Sequence, residues 1–198
     1  TNPIGLGGAD FRSASQMRPA RGVYLGAWRG GVLQQLGGFD ERWKANEDAE
    51  LAARLRAAGY DIYLVPAHSR YRVKRMPWTV VRQWRSYGFW RAQTLLRHRG
   101  EARPRHLAAP GMILAALALA ASPQRLALLP LYAIYCAAVF AKRAAGESPA
   151  VTAASCVFLP ACQAAWSLGF LQGLLWPQNR RRTAAGAAIP SPTLASDH

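Results

Sequence analysis

The pattern of apolar and polar positions changes about halfway along the chain. In the first part, short apolar runs alternate with loops rich in glycine, proline and charged residues. Runs of β-branched and aromatic residues predict strands, and a run bounded by glycines predicts a short helix. The predicted elements are a strand at 23–28, a helix at 31–36 and a strand at 60–65. In the second part, long apolar runs predict helices.

The helix predicted over 46–58 is the best defined element of the first part. Asn46 is a favoured N-cap type, acidic residues follow it where the helix dipole favours negative charge, and Gly59 stands where a left-handed residue ends a helix. Leu51 and Leu55 share one face and are expected to pack inward. Asp48 lies at the helix start, where a ligand can reach it. Acids after an N-cap are also ordinary helix-start chemistry, so this pattern alone does not make Asp48 functional.

A longer amphipathic helix is predicted over 77–97, with Pro77 near the first helical position. Trp84 and Tyr87 recur at helical spacing, and arginines follow another face. Trp and Tyr favour the headgroup level of a bilayer, where arginine meets anionic lipid. This helix is therefore expected to lie at a membrane surface.

Apolar runs follow at 107–121, 126–141 and 151–176. As helices, the first two would each be about 23 Å long, which is short for a hydrocarbon core of about 30 Å. They are expected to form either a membrane hairpin or one longer span. The third run is long enough to cross, although Pro160 near its middle also allows a re-entrant bend. The pattern leaves these topologies open.

Composition supports a membrane region beside a small domain. The 198-residue chain is 51% hydrophobic and carries 25 Lys and Arg against 10 Asp and Glu. Much of the positive charge lies at 68–106, next to the apolar runs, as a basic collar beside a membrane would. Nucleic acid is not an expected partner, because no zinc-ligand spacing, RNA-binding signature or basic leucine-zipper pattern occurs. The three cysteines have neither metal-ligand nor disulfide spacing, and no metal ligands are assigned in the chain.

A combined motif carries a resemblance to a known family. It consists of Gly-Gly-Phe-Asp-Glu at 37–41, Asn-Glu-Asp-Ala-Glu-Leu at 46–51 and Arg-Leu at 54–55. This order resembles the sugar-acceptor half of family-two inverting glycosyltransferases of the GT-A fold, over roughly residues 1–100.

The resemblance implies roles for individual residues. Asp48 matches the general base that takes a proton from the sugar-acceptor hydroxyl. Asp40, Glu47 and Trp28 fall where that family binds the acceptor. Trp28 equally suits a hydrophobic core, because large aromatic residues dominate core burial.

Residues 83–91, Gln-Trp-Arg-Ser-Tyr-Gly-Phe-Trp-Arg, are similar to a segment of membrane-anchored exopolysaccharide glycosyltransferases, the succinoglycan type in particular. This similarity makes Gln83, Arg85 and Arg91 candidates for contacts to a diphosphate, since guanidinium groups donate paired hydrogen bonds to phosphate oxygens. A cationic membrane-facing surface without a specific ligand is the alternative. The Arg and Trp of the processive-synthase signature are absent, which favours transfer of single sugars.

The resemblances imply an α/β protein, the acceptor-side half of a GT-A nucleotide-diphospho-sugar transferase fold followed by C-terminal transmembrane helices. The expected partners are a nucleotide-diphospho-sugar donor, a polyprenyl-linked or polysaccharide acceptor, and membrane lipids. The expected location is the inner (plasma) membrane, multi-pass, with the catalytic part in the cytoplasm. The competing hypothesis is a non-enzymatic, basic, membrane-bound adaptor or scaffold whose acids only cap a helix.

The chain is interpreted as the C-terminal piece of a longer protein, because it starts at Thr1 without a methionine, and it is expected to be inactive alone. The resemblance implies a divalent cation, Mg or Mn, bound mainly by the family's Asp-x-Asp upstream of this chain, which itself contains no Asp-x-Asp. The expected division is a catalytic-domain part at 1–76, an interface helix and linker at 77–106, a membrane hairpin at 107–141, a third membrane segment at 151–176 and a basic, then disordered, tail at 177–198.

Overall fold

The computed structural model describes residues 16–23, 26–66, 76–142 and 147–178, and the predicted tail beyond 178 lies outside them. Helices dominate these ranges. In chain order they are α1 (Gly30–Gln35), α2 (Glu47–Ala57), α3 (Pro77–Arg97), α4 (Arg105–Ala120), α5 (Leu128–Ala141) and α6 (Pro149–Leu175). Short 3-10 turns at Arg99–Glu101 and Arg125–Ala127 precede α4 and α5.

The sheet in the described residues is small. Strands β1 (Arg18–Pro19) and β2 (Tyr63–Leu64) pair antiparallel. The strand predicted at 60–65 is confirmed at its centre, but the strand predicted at 23–28 is not formed at residues 23 and 26–28, and residues 24 and 25 lie outside the description. Proline has no N–H to donate, so Pro19 and Pro66 limit this ladder. The described residues are therefore mostly helical with one two-stranded sheet, so they show the predicted α/β architecture only in part.

Helix α2 forms almost as predicted, but it begins differently. Leu51 and Leu55 are buried, and Gly59 ends the helix with a φ of +83°. The prediction that Asn46 is the N-cap residue is confirmed, but the helix start does not have the ordinary capping geometry. Asn46 occupies the N-cap position in a left-handed conformation, and its side chain makes no capping hydrogen bond.

The first hydrophobic core lies between α1, α2 and β2. Its buried members are Leu51, Ala52, Leu55 and Ile62. Apolar residues of α1 and the ring of Trp28 pack against it from outside. Burying this face of α2 fixes which way its first turn points.

A second core joins the loop before α2 to helix α3. Trp43 and Trp90 pack with ring centroids 5.4 Å apart, and Ala45 is buried beside them. The Trp43 indole N–H donates to Thr94 Oγ1 at 3.2 Å, which satisfies its polar atom in a buried place. Helix α3 has the predicted bounds, with Pro77 at its start.

Helix α3 also packs on α6 so closely that the backbones of the two helices are in contact. A Cβ at Gly88 would lie 1.9 Å from the carbonyl oxygen of Trp166, and one at Gly169 would lie 1.9 Å from that of Arg85. Gly173 approaches the Phe89 carbonyl in the same way. Because the residue numbers rise together along both helices, α3 and α6 run parallel.

The helices after α3 present apolar side chains to the outside. Many large residues of α4, α5 and α6 are exposed, among them Leu117, Ile134 and Val157. Among the described helices, only α6 has the length and apolar composition to cross a membrane, and α4 and α5 are shorter apolar helices. Helix α6 continues through Pro160, so the chain does not turn back there as a re-entrant bend would require.

Candidate functional site

Asp48 is the second residue of α2 and is half-buried. Its Oδ1 accepts a hydrogen bond from the backbone N–H of Ala49 at 2.7 Å. Burial raises the pKa of Asp48 above its usual value, and the negative charge of Glu47 raises it further. The Ala49 hydrogen bond and the positive charge of Arg91 act in the opposite direction but do not cancel the increase. The result is a carboxylate that holds a proton more readily than an exposed aspartate does.

Helix α3 meets the start of α2 near Asp48. The Asn46 side-chain N–H donates to the backbone carbonyl of Tyr87 at 2.9 Å, and Gln83 donates to the Tyr87 hydroxyl. Gln83, Tyr87 and Arg91 are spaced four residues apart, so they follow one face of α3. The structure therefore places Arg91 close enough for its charge to act on Asp48, with Gln83 on the same face of α3 two turns earlier.

Arg85 lies on a different face of the same helix. Its Nη2 donates to Gln172 Oε1 of α6 at 2.8 Å, and its backbone contacts Gly169. Arg85 lies two positions after Gln83, which is a rotation of about 200° around a helix. The predicted diphosphate contacts are thus not all brought together, because Arg85 faces α6.

Asp40 lies in the loop between α1 and α2, and two arginines donate hydrogen bonds to its carboxylate. Arg42 Nε donates to Oδ1 at 2.8 Å, and Arg97 Nη1 donates to Oδ2 at 2.7 Å. The hydrogen bond from Arg42 holds the pKa of Asp40 well below its usual range, against the opposing effect of burial, with Arg97 adding to the decrease. Asp40 is therefore ionised and fixed in position.

A concavity of about 470 Å³ opens beside Asp40, at the loop that follows α1. Gly37 and Gly38 shape this loop with φ values of +75° and +71°, a region that costs a residue with a Cβ free energy. The loop exposes the Phe39 ring at its tip, 44% accessible. Besides these loop residues, Arg54 and Arg97 line the concavity.

Glu50 is a residue that sequence reasoning missed. Its side chain is fully buried, and three basic residues reach it. Arg54 Nε lies 2.9 Å from Oε2, and His98 Nε2 and Arg97 Nη1 lie 3.2 Å and 3.4 Å from Oε1. Burial raises the pKa of Glu50, but the His98 hydrogen bond and the charges of the two arginines outweigh it and lower the pKa overall. A charge buried this deeply requires such partners.

Arg54 connects this buried carboxylate to the glycine loop. Its Nη1 donates to the Leu36 carbonyl at 2.6 Å and its Nη2 to the Gly38 carbonyl at 2.7 Å. One guanidinium thus holds both the loop and Glu50. The spacing of Glu50 and Arg54 by four residues on a predicted helix was the available signal for this pair.

The other predicted sugar-acceptor residues lie in different surroundings. Trp28 packs against the first core, with its ring so close to Gly26 that a Cβ there would lie 2.3 Å from it. Glu47 is exposed at the first position of α2, directly beside Asp48. The structure thus gives Trp28 a packing role and leaves Glu47 accessible, and their roles in acceptor binding stay predictions.

Metal ligands do not cluster in the part of the chain that the structure describes. No group of three or more His, Cys, Asp or Glu side chains is placed there to hold an ion. Asp40, Glu50 and Glu101 are each paired with arginines rather than open to a cation. The described residues therefore do not fit a divalent-cation site.

Comparison with known proteins identifies the family. Residues 15–182 match the family described as glycosyl transferase family group 2. The succinoglycan biosynthesis protein ExoA of Rhizobium meliloti (strain 1021) is 30% identical over 187 residues, which are 91% of this chain and 56% of that protein. The chain thus spans about half the length of this curated relative, and no solved structure matches it. The resemblance to family-two glycosyltransferases is confirmed: the chain belongs to glycosyl transferase family group 2.

Proposed function

We propose that this chain is the acceptor-side part of an inverting glycosyltransferase of exopolysaccharide biosynthesis. The complete protein would transfer a sugar from a nucleotide-diphospho sugar to a lipid-linked or polysaccharide acceptor. Family membership supports a transferase with a GT-A-like fold, and the relative named for succinoglycan biosynthesis supports the exopolysaccharide setting. The observation that carries the assignment is Asp48, a half-buried carboxylate at a helix start, close enough to α3 for the charge of Arg91 to act on it.

In the proposed reaction, an acceptor hydroxyl attacks the anomeric carbon of the donor sugar from the side opposite the leaving group. Asp48 takes the hydroxyl proton as the new glycosidic bond forms, and the nucleoside diphosphate departs with the bonding electrons. The configuration inverts because there is a single displacement. Burial favours this role, since a base whose pKa is raised towards the working pH takes up a proton more effectively. General-base catalysis of this kind contributes about 10²–10⁴-fold.

Arg91 and Gln83 are the proposed contacts of the departing diphosphate, because they share one face of α3 and the charge of Arg91 acts on Asp48. Arg85 is not part of this group, since it faces α6. Asp40 and Glu47 remain the proposed acceptor contacts. A divalent cation would be bound by residues outside those described, and no step here depends on it.

The membrane is the proposed partner of the second half of the chain. Helices α4, α5 and α6 expose many apolar side chains. No charged residue occurs between Leu126 and Ala141 or between Pro149 and Leu175, which suits a hydrocarbon environment. The proposed location is the inner membrane, multi-pass, with α2 and α3 on the cytoplasmic side, close to a polyprenyl-linked acceptor.

Replacement of Asp48 by asparagine in the complete, membrane-bound protein tests this function. Asp48→Asn keeps the side-chain volume but cannot take up a proton at neutral pH, so sugar transfer should fall by at least about 100-fold. Asp61→Asn is the matched control, because Asp61 is exposed and follows the opposite end of α2 from Asp48. Radiolabelled sugar transfer to membrane acceptors would measure both variants. Wild-type transfer by a folded Asp48→Asn protein would contradict the assignment of Asp48 as the base, and absence of transfer by the unsubstituted protein would favour the scaffold hypothesis.

A further inference from the structure

Asn46, directly before Glu47 and Asp48, has an unusual backbone. Its φ and ψ are 59° and 26°, and it is the one non-glycine residue of the described ranges with a positive φ. L-residues reach this region at a cost, which asparagine bears better than most. Strained residues of this kind persist where the surroundings hold them, and they cluster at functional sites.

The Asn46 side chain is used in an unusual way as well. At an N-cap position, asparagine ordinarily accepts a hydrogen bond from the first turn of its own helix. Here its Nδ2 instead donates 2.9 Å to the carbonyl of Tyr87, 41 residues away on α3. The backbone of Asn46 still starts α2, since its carbonyl accepts from Glu50 N–H at 3.0 Å.

These two features join the start of α2 to the face of α3. Tyr87 is one turn before Arg91, and its hydroxyl accepts from Gln83. Asn46 therefore touches the helix that carries the proposed diphosphate contacts and lies two residues before the proposed base. In the same turn of α2, Glu50 also reaches α3, where Arg97 Nη1 lies 3.4 Å from its Oε1.

We propose that Asn46 is a positioning residue, whose left-handed backbone and amide donor hold Asp48 at a fixed distance from Arg91 and Gln83. Since Asp48 is the base in the proposed function, the role of Asn46 rests on that proposal. The physical reason is geometric: a displacement of about 1 Å of a reacting group costs about 10²-fold in rate.

Substitutions of Asn46 separate its backbone from its amide. Asn46→Gly keeps easy access to the left-handed conformation but removes the donor. Asn46→Asp keeps the shape and tolerates the same conformation, but its carboxylate cannot donate to Tyr87. If the amide positions Asp48, both variants should lower kcat about 10-fold or more, with the donor KM changed far less. The acid limb of the pH profile of kcat should also move, because the surroundings of Asp48 change.

A double substitution makes the result specific to Asp48. In the Asp48→Asn background, Asn46→Gly should cause little further loss, since residues that act as a unit are non-additive. Unchanged kcat and pH profile in both single variants, with Asp48→Asn inactive, would overturn the role of Asn46 and leave the proposed function standing. Full transfer by Asp48→Asn would instead remove the proposed function. Thermal unfolding of each variant in detergent would show that any loss of rate is not loss of fold.

Discussion

At the scale of single residues, two acids of one helix turn have opposite surroundings. Asp48 is half-buried and has a raised pKa, whereas Glu50 is fully buried and has a lowered one. The difference is due to partners: Glu50 has Arg54, Arg97 and His98, and it ties the glycine loop, α2 and the end of α3 together. Glu50 therefore serves the fold, while Asp48 is the proposed base.

This contrast predicts different effects of substitution. Glu50→Gln should lower the free energy of unfolding by about 3–5 kcal/mol, because it removes a fully buried charge partner and leaves the largely buried Arg54 without its counter-charge. The turnover of the molecules that remain folded should fall less than in Asp48→Asn. Chemical denaturation in detergent would measure the loss, with the exposed Glu41→Gln as a control of at most about 0.5 kcal/mol. Equal stability of the two variants would show that the Glu50 network is dispensable.

At the scale of elements, local signals predicted helix bounds well and partners poorly. Helix α3 begins and ends where expected, because Pro77 and the apolar period act within the segment. The use of Asn46 was not predictable, since its partner Tyr87 is 41 residues away. The ion network around Glu50 was hidden for the same reason: His98 is 48 residues away. Of the proposed site, the identity of Asp48 came from the resemblance, and its neighbours on α3 came from the structure.

The ion network between elements predicts how stability depends on pH. Asp40, Glu50 and Glu101 have lowered pKa values in the folded state. At Asp40 the hydrogen bond from Arg42 is the largest effect on the pKa. At Glu50 and Glu101 burial is the largest single effect and raises the pKa, but the arginine partners, together with His98 at Glu50, outweigh it. A lowered folded pKa stabilises the protein above the ordinary values of 3.8 and 4.5, and this contribution is lost as the pH falls through the folded pKa. Asp48, with its raised pKa, contributes in the opposite direction.

With three such groups against one, the free energy of unfolding should decrease as the pH falls below about 4.5 and change little from these groups above about 5.5. Denaturant titrations at several pH values would measure it. The Glu50→Gln variant should show a shallower decrease, because it lacks one of the titrating groups. A stability that is level or rises down to about pH 3 would contradict the assigned role of the network.

At the scale of the whole molecule, the apolar helix α6 packs directly against α3, the helix next to the proposed site. Gln93 of α3, only 3% exposed, donates to the carbonyls of Gly173 and Trp176 at 2.9 and 3.1 Å, so it binds the end of α6. The glycines at 88, 169 and 173 let the two backbones meet, which is a packing mode of membrane helices. Sequence patterns treated α3 and the third apolar run as separate layers, because no local signal pairs residues 80 positions apart.

The close approach of α3 and α6 leads to the last prediction, which concerns Gly169→Leu. The new Cβ would meet the Arg85 carbonyl 1.9 Å away, so the helices must separate, and overpacking of this kind costs about 1–3 kcal/mol or more. Because α3 also holds Tyr87 and Arg91, sugar transfer by the complete protein should fall together with stability. Gly111→Leu on α4 adds the same side chain where nothing lies within 4 Å of the Cβ, and it should leave both unchanged.

Membrane binding separates this effect from a loss of anchoring. Both leucine variants should stay in the membrane pellet after high-salt and carbonate washes, because insertion into hydrocarbon is not screened by salt and leucine only adds apolar surface. Gly169→Leu should then be retained but inactive, with faster proteolysis within α3, whereas Gly111→Leu should be retained and active. An active, protease-resistant Gly169→Leu protein would mean that α6 anchors the chain without supporting the proposed site. Release of the unsubstituted protein by salt alone would show instead that the apolar helices pack within a protein interior.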